Sequence, residues 1–147
     1  IGEREGMSLA ELNSMMNKKS GVLGMTGLSS DMRDIDDAYE AGNERAILAR
    51  DMYYDRVKQY VGKYAALMGG VDLVIFTGGV GENQLITRES ICRQLEYLGV
   101  TFDAEANNCR GKEVVISGAD SKVKVVVIPT DEELMIAQDT AAIVSAL

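Results

Sequence analysis

Three glycines in Phe76-Thr77-Gly78-Gly79-Val80-Gly81-Glu82-Asn83 join an apolar run to a helix-forming sequence. A strand-turn-helix of this kind lets a ligand lie against bare backbone at the end of a sheet. It is not a dinucleotide fingerprint, because the third glycine of that pattern would fall at Gln84. It is not a Walker A loop either, since Gly-Lys-Ser/Thr occurs nowhere in the chain. Two readings remain. One is a tight strand-helix connection. In the other, the absent side chains admit an adenosine or a phosphate beside outward-pointing N–H groups.

Two further groups have side chains fit for the same chemistry. Asp31-Met32-Arg33 stands at the start of a helix-forming segment. There Asp31 complements the helix dipole, and Arg33 is either solvated or offers its planar fork to a phosphate or a base. Glu132 and Glu133 follow the end of an apolar strand. Glu133 can complete a capping box begun by Thr130. Glu132 is not needed for that box. It either complements the dipole or holds Mg²⁺, directly or through water.

The elements that must position these groups are legible in outline. Ser8 and Glu11 form a capping-box pattern for a helix to about Lys18. Val22-Leu23, among glycines, reads as a loop or a small strand. Ser29 or Ser30 can cap a second helix ending near Gly42. Asn43 opens a long helix whose stripe is Ala46, Ala49, Tyr53, Val57, Tyr60, Tyr64 and Met68, ending at Gly69-Gly70. Gly62 within it implies close packing against a neighbour. Leu73 to Phe76 is apolar on both faces, as in a buried parallel strand. A helix is expected from Asn83 to Leu98, with Ile91, Leu95 and Leu98 on one side and Gly99 as its stop. Val114–Ile116 and Val123–Ile128 read as strands joined around Gly118-Ala119-Asp120, and a last helix follows Pro129. The order is α/β. The strand count is small for a complete sheet, which points to strands upstream of Ile1.

Composition narrows the classes. The chain has 147 residues and 46% apolar content, enough for one ordinary core. A net charge of −8 argues against a nucleic-acid partner. The tyrosines lack the interleaved basic residues of a base-stacking groove. No apolar stretch approaches the ~20 residues that span a bilayer. No signal-peptide pattern follows Ile1, so the expectation is a soluble, cytoplasmic protein. There is no histidine, which removes Ser-His-Asp and Cys-His hydrolysis from this chain. Cys92 and Cys109 lack metal spacing, and Cys92 reads as a small buried apolar residue. The start at Ile1 rather than Met suggests a piece of a longer protein.

Four blocks, in order, resemble the acetate kinase (acetokinase) family. They are Asn17-Lys18-Lys19-Ser20-Gly21-Val22-Leu23-Gly24, Gly27-Leu28-Ser29-Ser30-Asp31-Met32-Arg33, the glycine segment Phe76 to Asn83, and Ile128-Pro129-Thr130-Asp131-Glu132-Glu133-Leu134-Met135-Ile136-Ala137. Propionate kinases carry similar text. The resemblance implies a ribonuclease-H-like, actin-like ATPase fold, with residues 1–147 as the C-terminal nucleotide-binding domain and an incomplete sheet with packed helices. It implies reversible phosphoryl transfer between ATP and acetate, giving acetyl phosphate and ADP. By position, Asp31, Met32 and Arg33 would line an adenosine pocket. Gly79, Val80, Gly81, Glu82 and Asn83 would form the adenine and ribose loop, and Glu132 would serve Mg²⁺. A homodimer through this domain is implied as well. The family's catalytic arginines, histidines, aspartate and first phosphate loop would all lie upstream of Ile1. No catalytic residue is therefore expected here, and the chain alone is expected to be inactive. The alternatives are a propionate kinase, a non-catalytic nucleotide-binding or dimerisation module, and a chaperone-type ATPase of the same superfamily, which these text blocks disfavour.

Overall fold

The computed structural model describes residues 1–146 and divides into two compact units, Ile1–Tyr60 and Val61 onward. The first is helical: α1 (Gly2–Glu5), α2 (Leu9–Lys18), α3 (Gly21–Thr26), α4 (Met32–Glu40) and the first part of α5 (Glu44–Met68). The second holds the remainder of α5, then β1 (Leu73–Phe76), α6 (Gly78–Asn83), α7 (Leu85–Cys92), β2 (Val114–Val115), β3 (Lys124–Val127) and α8 (Glu132–Ser145).

Local chemistry explains most boundaries. The Ser8 hydroxyl accepts from the Glu11 N–H at 3.3 Å, and the Glu11 carboxylate accepts from the Ser8 N–H at 2.8 Å, so the expected capping box forms. Asn43 Oδ1 accepts from the N–H groups of Arg45 and Ala46 and starts α5. Val22-Leu23 lies in α3, which corrects the loop-or-strand expectation. The glycines there mark helix ends: Gly27, at φ 69°, donates to the Leu23 carbonyl and stops the helix.

In the first unit Met32, Ile35, Ala46, Ala49 and Tyr54 form the core. The stripe expected along α5 is buried at Ala46 and Ala49 and half-buried at Tyr53 and Val57, but does not hold beyond. Tyr54 and Ala65 are buried, whereas Tyr60, Tyr64 and Met68 are half or more exposed. Gly62 does pack closely, because a Cβ there would meet the Tyr97 hydroxyl at 3.0 Å.

The sheet of the second unit has the order β1-β3-β2. β1 pairs with β3 in parallel, Leu73 opposite Lys124 and Phe76 opposite Val127. β2 and β3 are antiparallel, joined through the expected turn at Gly118 to Ser121. Val125 and Val127 are fully buried, with Ile91, Cys92, Leu95 and Ile116. β1, an edge strand, departs from the buried-strand expectation: Leu73 is 44% and Ile75 49% exposed on one face of the strand, while Phe76 on the other is buried. The helix expected from Asn83 to Leu98 is broken. Gln84 is extended (φ −98°, ψ 95°) and separates α6 from α7, α7 stops at Cys92, and only a 3-10 turn covers Glu96–Leu98 before Gly99.

Candidate functional site

The glycine segment turns immediately into α6, and its three glycines have different reasons for being glycine. Gly78 has φ +70°, a conformation that L side chains rarely adopt. Gly81 has negative φ, but a Cβ there would lie 3.1 Å from the Phe76 carbonyl carbon, so this glycine lets the helix sit on the strand end. Gly79 meets neither constraint. Its φ is not positive, and a Cβ built on it meets nothing within 4 Å. Among the described residues nothing requires glycine at Gly79.

The rest of α6 is pinned from two sides. The Glu82 carboxylate accepts from the Thr130 N–H at 2.8 Å and the Thr130 hydroxyl at 2.9 Å. Those bonds hold its carboxyl below the usual carboxylate range. They also remove Thr130 from the expected capping box. Asp131 caps α8 instead, accepting from the Leu134 N–H at 2.9 Å. Asn83 donates from Nδ2 to the Gly79 carbonyl at 3.0 Å, within α6 itself. Val80 is half-buried.

On the other side lies Arg88, fully buried and absent from the sequence-based expectations. Its Nη1 donates to the carbonyls of Gly81 (2.9 Å) and Glu82 (2.8 Å). Its Nε donates to Asn107 Oδ1 at 2.7 Å, and its Nη2 to the carbonyls of Asn107 (2.9 Å) and Cys109 (2.8 Å). Burial pushes the guanidinium below its ordinary pKa, though an arginine keeps its proton throughout the range in which proteins fold. One sequence signal could have found it: Arg88, Ile91, Cys92 and Leu95 recur at three- and four-residue steps, and all four are buried.

Glu132 occupies the first turn of α8, exposed and two residues beyond Thr130. Among the described residues no group of three or more His, Cys, Asp and Glu could hold a metal ion. A single exposed carboxylate nevertheless suits Mg²⁺, which is often held by one or two carboxylates with water and phosphate oxygens completing its shell.

Asp31, Met32 and Arg33 lie in the first unit. Asp31, rather than the expected Ser29 or Ser30, caps α4, accepting from the Arg33 N–H at 2.9 Å. Its carboxylate also takes Arg33 Nη2 at 2.6 Å and Nε at 3.1 Å, in a forked pair. The Arg33 side chain beside it holds the Asp31 carboxyl at about 2. Arg33 remains 85% exposed, while Met32 is buried in the core. A cleft of about 580 Å³ in the same unit, lined by Lys19, Met52, Tyr53 and Arg56 among others, contains none of these three residues.

Comparison with known proteins gives this arrangement its context. The Acetokinase family model matches residues 1–138. The chain is 57% identical over 145 residues to an acetate kinase of Phocaeicola vulgatus, covering 99% of this chain and 36% of that protein. It is 59% identical over 142 residues to an acetate kinase of Porphyromonas gingivalis, covering 96% and 36%. The crystal structure of Porphyromonas gingivalis acetate kinase superposes with a TM-score of 0.89 at 58% identity, over 97% of this chain and 36% of that one. A propionate kinase from Francisella tularensis superposes with a TM-score of 0.83 at 37% identity, over 94% and 35%. The chain thus spans about 36% of the length of the curated relatives it matches. Its α/β architecture, three-stranded open sheet and packed helices are those of the corresponding part of the actin-like ATPase fold in acetate kinases. With the family model and this identity both extending over nearly all of it, the chain belongs to the acetokinase family.

Proposed function

We propose that this chain is the C-terminal nucleotide-binding part of an acetate kinase, which reversibly transfers the γ-phosphoryl group of ATP to acetate. Gly79 carries the proposal. A glycine needed neither for backbone conformation nor for packing leaves bare main chain beside open space, which is what a bound nucleoside requires. Val80, Glu82 and Asn83 complete the loop, with Glu82 acting through Thr130 as its anchor. Arg33, oriented by Asp31, offers a planar cation to a base or phosphate, and Met32 supports that turn from the core.

Phosphoryl transfer depends mainly on positioning and on positive charge around the transferred group. Magnesium, held with help from Glu132, would supply part of that charge. The chain contributes the nucleotide's place; the carboxylate pocket and the remaining cations belong to a further part of the protein. Acetate is taken as the acceptor because relatives more than half identical to this chain are acetate kinases, whereas the propionate kinase is 37% identical. A cytoplasmic homodimer assembled through this domain completes the proposal.

Gly79→Ala is the test, because its two effects have opposite signs. Alanine in a helix with compatible φ stabilises by about 0.4–1 kcal/mol. A methyl group in a nucleotide's path weakens binding. In the complete enzyme, thermal unfolding should therefore show a higher melting temperature, and calorimetric titration with MgADP a higher Kd. A higher melting temperature with unchanged Kd removes Gly79 from the site.

A further inference from the structure

We propose that Arg88 is the positioning residue for the glycine loop: it acts on nucleotide through the Gly81 and Glu82 carbonyls and is itself oriented by Asn107. The inference rests on the assignment of α6 to nucleotide binding.

A guanidinium has five N–H donors in one plane. Here five oxygen acceptors receive them: carbonyls of Gly81, Glu82, Asn107 and Cys109, and the side-chain oxygen of Asn107. None is a carboxylate. The cation is instead matched to carbonyl dipoles, two of them in the last turn of α6, where the helix dipole favours positive charge. A lysine could fill the space but would bring three donors and no plane.

The orientation of the fork is also fixed. Asn107 is 3% exposed; its Oδ1 takes Arg88 Nε, and its Nδ2 donates to the Leu85 carbonyl at 3.1 Å. The residue that aims Arg88 therefore also holds the first residue of α7, just past the extended Gln84. Both sides of the break between α6 and α7 are tied to one loop.

Such an arrangement does more than add stability. α6 has six residues, too few to hold its own shape firmly. Gly81 rests on Phe76, Glu82 is held by Thr130, and Arg88 grips the carbonyls from behind. Gly79 and Asn83 remain exposed. The loop is thus set before ligand arrives, which lowers the ordering cost of binding.

Steady-state kinetics of the complete enzyme that carries this chain test the proposal, with wild type, Arg88→Lys, Asn107→Ala and Gly79→Ala compared well below their melting temperatures. Arg88→Lys should raise the nucleotide KM about tenfold or more, as expected for misaligned charge-assisted bonds, with kcat and carboxylate KM nearly unchanged. Asn107→Ala, which keeps the cation and removes its aim, should shift the same constant in the same direction. It also keeps the test open should Arg88→Lys fail to fold. If the variants melt earlier while nucleotide KM stays at the wild-type value and Gly79→Ala still raises it, Arg88 is purely structural and the proposal fails alone. If Gly79→Ala leaves nucleotide KM unchanged as well, the assignment of the loop fails and takes the proposal with it.

Discussion

At the scale of single residues, the forked pair of Asp31 and Arg33 separates two roles that share one carboxylate. Asp31→Asn keeps a good helix cap but loses the ion pair that aims Arg33. In the complete enzyme it should raise the KM for ATP, as Arg33→Ala should. An unchanged KM for both variants would return Arg33 to the solvated surface. The sign of the pH dependence follows from the lowered carboxyl. With Asp31 at about 2 when folded, its contribution is present above the ordinary carboxylate value and is lost only as pH falls through about 2. Melting curves of wild type and Asp31→Asn should accordingly differ by a constant from pH 5 to 8 and converge in acid. Cys92 behaves oppositely: burial pushes its thiol up to about 12. It should resist alkylation in the folded protein at pH 8 while the partly exposed Cys109 reacts, and mass spectrometry of the labelled chain checks this. The glycine segment was visible in the sequence as a turn. The separate reasons for its three glycines were not, since a φ angle and a distance to Phe76 are not written in residue types. Arg88 was hidden because four of its five acceptors are main-chain carbonyls, which every residue possesses.

At the scale of elements, end signals were read more accurately than extents. Ser8 with Glu11, and Asn43, cap their helices as their types suggest. Asn43→Ala should destabilise by about 1 kcal/mol, read as a lower melting temperature with nucleotide KM unchanged. Thr130 was misread because a capping box is a local pattern, whereas its hydroxyl and N–H are taken by Glu82, distant in sequence and adjacent across β1 and β3. The same parallel pairing brings the glycine loop and the start of α8 together, so it also positions Glu132. Glu82→Gln should loosen that junction, and a rise in nucleotide KM at an unchanged acetate KM would show it. The break at Gln84 could not be inferred from an apolar period that continues through Ile91 and Leu95.

For the molecule as a whole, the α/β class and the strands were legible because strand-forming runs stand apart between turn residues. The exposure of β1 was not, since apolar text on both faces describes a strand meant to be covered and cannot say what covers it. No helix among the described residues is long and apolar enough to cross a membrane. If the chain holds only the nucleotide's side of the reaction, as proposed above, it should by itself form no acetyl phosphate from ATP and acetate in a coupled assay; robust turnover would refute that division of labour. Leu73 and Ile75 on an edge strand, with Leu134, Met135 and Ile136 exposed on α8, should make the purified chain self-associate. Sedimentation should show mass rising with concentration, and Ile75→Lys should suppress it. The same edge sets a race during synthesis. A second chain reaches the open edge at a rate that grows with the concentration of exposed copies, whereas the folding of one chain does not depend on it. The soluble fraction should therefore rise when translation is slowed, even though no equilibrium stability has changed.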